Sequence, residues 1–524
     1  MLWCKKTRPP MVAAACIRYE ARIKCEETAD CAGVLLNYNS MILNRPHSFN
    51  SLKVMHMMSA LRIVAGAAVL LALPGLVHAG PLAERQGRWL GDMAIPNGPT
   101  LKIGADLFTR LDGTAWASLS SPDQGVYDIP AATVTETGDA VELDLRQATL
   151  RLTWTQDRAD SVQGVFSQGG QSTTFPMRRV AEFPHKPRPQ TPKAPFPYAN
   201  QDLKIAGPDG IVVGATLSIP HGARRPNLVV IVPGSGPATR NAVIAGHQPY
   251  NDMADHLARQ GIAVLRYDKR GNGLSSGDFA QVTTEGLVAD LAAIMKAMNA
   301  RKDFGQVGMV GLSEGPGIAA AVAARNPADV DFIVSLAGVG LSGHELILLQ
   351  DRLLARDNGA QPQEMGRLMA YVRDFYAAIL ANPDPQARVA ALRAVQAGLS
   401  PEEQAMIKKY RLNYGSLSIE EAEKPHLRTL MLARPQDDWR KVRVPVLALN
   451  GSLDHQVPAE ENLAGIVGAL EAGGNRQVES AVLPSLNHLF QTAKTGATKE
   501  YATIDETIAP AVLERIAAFV KKQK

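Results

Sequence analysis

Past residue 31 the chain contains no cysteine: Cys4, Cys16, Cys25 and Cys31 all fall in its opening stretch. A product without that stretch has no disulfide, no thiol nucleophile and no cysteine-ligated metal. Charge of one sign is also scarce. Lys and Arg number 55 against 51 Asp and Glu, giving a formal net charge of +4 spread along 524 residues. That lacks the concentrated basic stripe a nucleic-acid partner requires. The apolar run Ile63 to Leu73 is too short to span a bilayer comfortably, so stable membrane insertion is not expected, with a buried helix or a membrane anchor as the alternative reading. What is present is the material of an ordinary globular core, 46% hydrophobic and 20% charged. The length allows two or three domains at roughly 100–200 residues each.

Residues 57–80 read as an export signal. Arg62 supplies the positive region and Ile63 to Leu73 the apolar one, before the helix breaker Pro74-Gly75. Val77-His78-Ala79 offers side chains that a signal peptidase reads, so cleavage is expected after Ala79, with a periplasmic or secreted product. A signal peptide should open a chain, so Met55, Met57 or Met58 is a candidate start. Residues 1–56 then form an upstream extension without a structural role.

Residues 80–180 are expected to form a small antiparallel β domain. Leu101 to Leu107, Val141 to Leu145 and Leu150 to Thr155 place an apolar residue at every second position, the pattern of strands wet on one face. Trp89, Trp116 and Trp154 are read as core packing, with a binding groove as the alternative. Residues 181–199 hold Pro184, Pro187, Pro189, Pro192, Pro195 and Pro197, and should form an extended, stiff linker.

From residue 200 to 524 the rhythm changes to apolar strands alternating with helices, the signature of a parallel sheet covered on both faces. The strands are Leu228–Val232, Ile262–Tyr267, Val307–Val310, Phe332–Leu336, Val444–Leu449 and Ala481–Leu483. Residues 341–440 are almost all helical in pattern. They are expected to be a lid over the carboxyl ends of the strands, where such sheets bind ligands.

Gly311-Leu312-Ser313-Glu314-Gly315 matches G-x-S-x-G, a strand-to-helix turn that holds a serine in strained dihedrals. By chance such a pentapeptide arises in roughly one chain of this length in five, so its context decides. A strand ends just before it and a helix starts just after. Ser313 is therefore the expected nucleophile. A hydroxyl needs a base, and the partners should follow in the order acid, then histidine. Asp454, in a loop just past one strand, and His488, just past the next, fit that order. Asp437 and Asp438 precede the strand, and His455 adjoins the acid too closely. The oxyanion donors are expected to be the amides of Glu314 and of Ser235, in Pro233-Gly-Ser-Gly-Pro237. That Gly-rich turn lacks the Lys-Ser/Thr of a phosphate-binding loop.

Asp268 and Arg270, in Tyr267 to Gly277, are expected to brace their loop. His247, His256 and His344 show no metal-ligand spacing and are read as surface or lid residues, so no metal is expected. Glu420, Glu421 and Glu423 are read as a solvated helix face, with binding of a substrate amine as the alternative.

From residue 200 onward the chain resembles the exported α/β-hydrolases grouped with EstD-like esterases and the broader serine aminopeptidase-like hydrolases. The segments that carry the likeness are Pro233 to Pro237, Tyr267 to Gly273, Gly311 to Gly315, Gly451 to Pro458 and Leu486 to Phe490. The resemblance implies hydrolysis of a small-molecule carboxylic ester under a helical lid, without a cofactor. Many relatives begin the oxyanion loop with His-Gly, whereas this chain has Pro233-Gly234, which keeps the backbone donors and loses the side chain. Two alternatives stay open at this point. The same serine machinery could act on a peptide or N-acyl amide, or the fold could be a vestigial envelope binding protein.

Overall fold

A computed structural model describes residues 85–524 apart from 97, 155–159, 187 and 411–418. The expected extension, signal peptide and cleavage site lie outside the described residues. Among the described residues no helix is long and apolar enough to cross a membrane.

The first nine strands form one antiparallel sheet: β1 (Gly87–Ala94), β2 (Thr100–Thr109), β3 (Ala115–Ser121), β4 (Val126–Pro130), β5 (Thr133–Thr137), β6 (Ala140–Asp144), β7 (Ala148–Trp154), β8 (Ser161–Gln168) and β9 (Gln171–Val180). Their order is β4-β3-β2-β1-β9-β8-β7-β6-β5, so each strand pairs with its chain neighbour and the pairing of β1 with β9 joins the two halves. Alternation sends Trp89, Leu107, Leu119, Leu143, Leu150, Leu152 and Phe175 into one core. Trp89 is fully buried and meets Trp154 edge to face at 5.4 Å. The register also places Arg88, Asp106, Phe108, Trp116 and Ser118 together on the opposite face of β1, β2 and β3.

The segment after β9 is not a free spacer. Arg188 is buried and donates to the carbonyls of Ile504 at 2.5 Å and Ala502 at 3.1 Å. Tyr127 Oη donates to the carbonyl of Pro184 at 2.6 Å. Proline removes backbone donors, so the segment is tied down through its carbonyls and side chains.

The second sheet holds β10 (Tyr198–Ala206), β11 (Val212–Pro220), β12 (Leu228–Val232), β13 (Ala263–Tyr267), β14 (Val307–Leu312), β15 (Ile333–Leu336), β16 (Val446–Gly451) and β17 (Val478–Leu483). Its order is β10-β11-β13-β12-β14-β15-β16-β17. β10, β11 and β13 pair antiparallel, and every pairing from β13 to β17 is parallel. β12 to β16 are buried throughout because helices cover both faces.

The helices are α1 (Pro249–Arg259), α2 (Thr284–Ala300), α3 (Gly315–Arg325), α4 (Gly343–Asp357), α5 (Pro362–Ala381), α6 (Pro385–Ala397), α7 (Pro401–Tyr410), α8 (Ile419–Ala422), α9 (Pro425–Leu432), α10 (Pro435–Trp439), α11 (Ala459–Ala472) and α12 (Pro510–Lys522). α2, α3 and α11 pack on one face of the sheet, α1 and α12 on the other. The last helix begins at Pro510, since proline suits the first helical turn. α4 to α10 form an insertion between β15 and β16 with its own core around Leu368, Val372, Phe375, Tyr376 and Leu392. Its first helix starts in a capping box made by Ser342 and Glu345. Arg146, in the turn between β6 and β7, pairs with Glu421 of α8 at 2.9 Å and ties the first sheet's domain to this insertion.

Candidate active site

β14 delivers the chain to Ser313, which adopts φ 62, a left-handed conformation that costs a residue with a Cβ roughly 1–2 kcal/mol. The surroundings impose it. Ser313 N–H donates to the Leu336 carbonyl at 2.9 Å, anchoring the turn to β15. A Cβ on Gly311 would come 2.5 Å from Pro316 N, and one on Gly315 would come 2.3 Å from the Val232 carbonyl. Both glycines of the pentapeptide are thus required by close packing rather than by dihedral freedom. α3 begins at Gly315, so its positive end faces the turn.

The loop after β12 lies against this serine. A Cβ on Gly234 would stand 3.2 Å from Ser313 Cβ and 3.8 Å from its Oγ. Gly234 N–H is already committed to Tyr250 Oη at 2.9 Å. Among the described residues, the amides of Ser235 and Glu314 donate to no protein acceptor.

Asp454 and His488 come together at the ends of β16 and β17. His488 Nδ1 lies 2.9 Å from Asp454 Oδ2, and both residues are buried. Asp454 Oδ1 accepts the amides of Gln456 at 2.9 Å and Val457 at 2.8 Å, while Asn450 Nδ2 approaches Oδ2 at 3.3 Å. A carboxylate fixed on three sides can hold an imidazole in one orientation and one tautomer.

Behind the serine lies a buried charged cluster. Lys269, 1% exposed, donates from Nζ to the Gly234 carbonyl at 2.5 Å and the Gly236 carbonyl at 3.3 Å. The same ammonium is 3.6 Å from the carboxylate of Glu314, whose other oxygen meets His426 Nε2 at 2.8 Å. Burial, the largest influence on Glu314, pushes its carboxyl up, but the charges of His426 and Lys269 outweigh it and hold the group at about 2. Burial pushes the Lys269 ammonium down from its ordinary value, against the pull of Glu314. His426 belongs to α9, so the insertion reaches the residue next to Ser313. Sequence reasoning placed Glu314 only by its amide and passed over Lys269 and His426. The nearest signal was a lysine within an otherwise loop-like Asp-Lys-Arg-Gly run directly beyond an apolar strand.

Most of the other singled-out residues have structural partners. Asp268 accepts from the Arg240 amide at 2.7 Å, from Arg240 Nη2 at 2.6 Å and from the Leu274 amide at 3.0 Å, and Arg270 pairs with Asp290 through two contacts of 2.6 Å. Asp437 faces Arg434 and Arg440 in and beside α10, and Asp438 faces Lys441. His455 meets Asp357 of α4 at 2.7 Å. His247, read as a surface residue, is fully buried instead. Its ring nitrogens meet Thr507 Oγ1 at 3.1 Å and the Tyr501 carbonyl at 3.0 Å, and burial lowers it to about 4. Glu421 and Glu423, expected on a solvated face, pair with Arg146 and Arg388. Among the described residues no group of three or more His, Cys, Asp or Glu could hold a metal ion.

The strand order, the elbow at Ser313 after the central strand β14 and the helices on both faces define an α/β-hydrolase fold. Residues 244–492 match the family described as serine aminopeptidase, S33. Over 176 residues the chain is 29% identical to Esterase EstD from Thermotoga maritima, a match covering 33% of this chain and 38% of that esterase. Among solved structures, the chain is similar to Est1E from Butyrivibrio proteoclasticus bound to ferulic acid (17% identity, 61% of this chain, 98% of that chain, TM-score 0.37). It is similar also to the Pyrococcus furiosus esterase Pf2001 (15%, 65% and 97%, TM-score 0.37) and to a proline iminopeptidase from Mycobacterium smegmatis (16%, 62% and 98%, TM-score 0.38). At these scores none of the structural likenesses bears on substrate.

Proposed function

We propose that this protein is a serine hydrolase of small carboxylic esters that works through an acyl-enzyme, without a cofactor. Ser313 Oγ attacks the ester carbonyl. His488 takes its proton and passes it to the leaving alcohol, then takes a proton from the water that attacks the acyl-enzyme and passes that one to Ser313 Oγ. Asp454 keeps the imidazole oriented and stabilises its charged form. The oxyanion formed in each half-reaction is met by the amides of Glu314 and Ser235, each such donor being worth about 10²–10³ in rate.

The observation that carries this reading is the pairing of a strained, tightly boxed serine with free amides beside it and a buried Asp454–His488 contact of 2.9 Å. A structural role for any one of these features does not call for the others. In this reading the α4–α10 insertion is a lid, supported by His426 reaching Glu314 and His455 reaching Asp357. Export before action, with cleavage after Ala79, belongs to the same proposal.

The test is hydrolysis of p-nitrophenyl esters from acetate to decanoate beside aminoacyl p-nitroanilides. Ester turnover lost in Ser313→Ala supports the proposal. Loss of less than about tenfold overturns it, since removing a nucleophile costs orders of magnitude more. Anilides turning over faster than esters would assign the same serine to amide hydrolysis, as the aminopeptidase description of the matched family suggests. Failure of a fluorophosphonate to label Ser313 would point to a binding protein instead.

A further inference from the structure

Between the first β sheet and the hydrolase domain lies a chamber of about 540 Å³, a volume that suits a small ligand. Its walls are the outer face of β1 to β4, the segment after β9 that carries Glu182 and His185, and the loops after β12 and β13. Its lining mixes apolar surface with charged side chains, the Arg and Lys equal in number to the Asp and Glu.

Aromatic rings are set among these charges. Phe108 and Trp116 stack at 4.6 Å and 29°, and Tyr127 and His185 stack at 4.4 Å and 24°. Trp116 is 3% exposed, yet among the described residues its indole N–H meets no acceptor. A buried donor without a partner is costly, and such groups are usually satisfied by water or ligand. The carboxylates are desolvated too. Burial, and then the charge of Asp106, push Asp128 up to about 6, while burial raises Asp106 against the pull of Arg88. Asp128 accepts from Thr239 Oγ1 at 3.3 Å.

We propose that this chamber is a binding site for a neutral carbohydrate of mono- or disaccharide size. Sugar hydroxyls donate to buried carboxylates and accept from an indole N–H and from arginine, while the C–H face of a pyranose ring lies well on aromatic carbon. The equal balance of charge in the walls disfavours a ligand carrying net charge. Thr239 and Arg240 line the chamber from the loop that also carries Ser235, so the occupant would sit on the far side of a loop from the serine site.

The test uses the full chain with glucose, N-acetylglucosamine, maltose and cellobiose, read by saturation-transfer NMR and by tryptophan fluorescence. At least one sugar should bind. Its affinity should fall by about tenfold or more in Trp116→Phe, which keeps the stack and loses the N–H, and in Asp128→Asn, as expected for a lost hydrogen bond to a buried group. Ser313→Ala should bind like the parent chain, and thermal melting should show both chamber variants folded. No response to any of the sugars, or affinities unmoved by both substitutions, would overturn the proposal. So would methylammonium displacing the sugar at equal concentration, which would make the chamber a cation site.

Discussion

Lys269 Nζ holds the carbonyl of Gly234 at 2.5 Å, and that contact fixes the direction of the next amide. The Gly234 carbonyl and the Ser235 N–H belong to one planar trans peptide unit and point in opposite directions. A buried ammonium pulling on one end therefore aims the other away from itself. The neighbouring bond to the Gly236 carbonyl, at 3.3 Å, grips the loop one residue beyond Ser235.

Lys269→Met should lower kcat for p-nitrophenyl acetate by about 10- to 100-fold with KM little changed, the pattern of a weakened oxyanion donor rather than of lost substrate binding. Steady-state kinetics on the folded variant check this. A rise in KM with unchanged kcat would show that Lys269 shapes the substrate pocket instead of aiming Ser235.

Glu314 and Lys269 are both fully buried, so removing one charge strands the other. Glu314→Gln should cost about 3–5 kcal/mol at neutral pH, and the double variant with Lys269→Met should recover part of that loss. The Glu314 carboxyl sits at about 2, below its ordinary 4.5. Its contribution to stability is thus complete above 4.5 and fades as pH falls toward 2. The gap between parent and Glu314→Gln in denaturant melts should narrow over that window.

Ser313 stores strain at φ 62 that only glycine escapes. Ser313→Gly should melt higher than Ser313→Ala by an amount equivalent to about 1 kcal/mol, while neither turns over ester. Equal melting temperatures would mean that the turn is held without cost.

Asp128 carries the opposite sign from Glu314. Its folded value of about 6 lies above the ordinary 3.8, so between the two the native protein keeps a proton that the unfolded chain has released. Stability falls as pH rises through that window, and the full penalty is present above it. Asparagine avoids the penalty and tolerates the left-handed φ 56 of this position. Asp128→Asn should therefore stabilise the protein at neutral pH by about 1–3 kcal/mol and give no gain below pH 3.8. A stabilised variant that has lost sugar binding would show what function costs at this position.

The sequence by itself determined whatever depends on neighbours along the chain. Period-2 alternation in Leu101 to Leu107 and apolar runs such as Leu228–Val232 became strands of two different sheets because side-chain periodicity is a local property. The turn at Ser313 was legible because its glycines, strand and helix are contiguous. The loops carrying Asp454 and His488 were legible because each directly follows an apolar run. Only the tertiary structure decided which distant groups meet, and at what dielectric cost. Lys269, Glu314 and His426 lie on three separate elements, and nothing along the chain marks a lysine as fully buried. His247 looked like a surface histidine until packing against Thr507 and Tyr501 buried it. Trp116 resembled Trp89 in its strand, yet the register turned one outward to the chamber and the other into the core. Burial and cross-chain pairing set these outcomes, because the energy of a charge or donor is fixed by everything around it rather than by its place in the sequence.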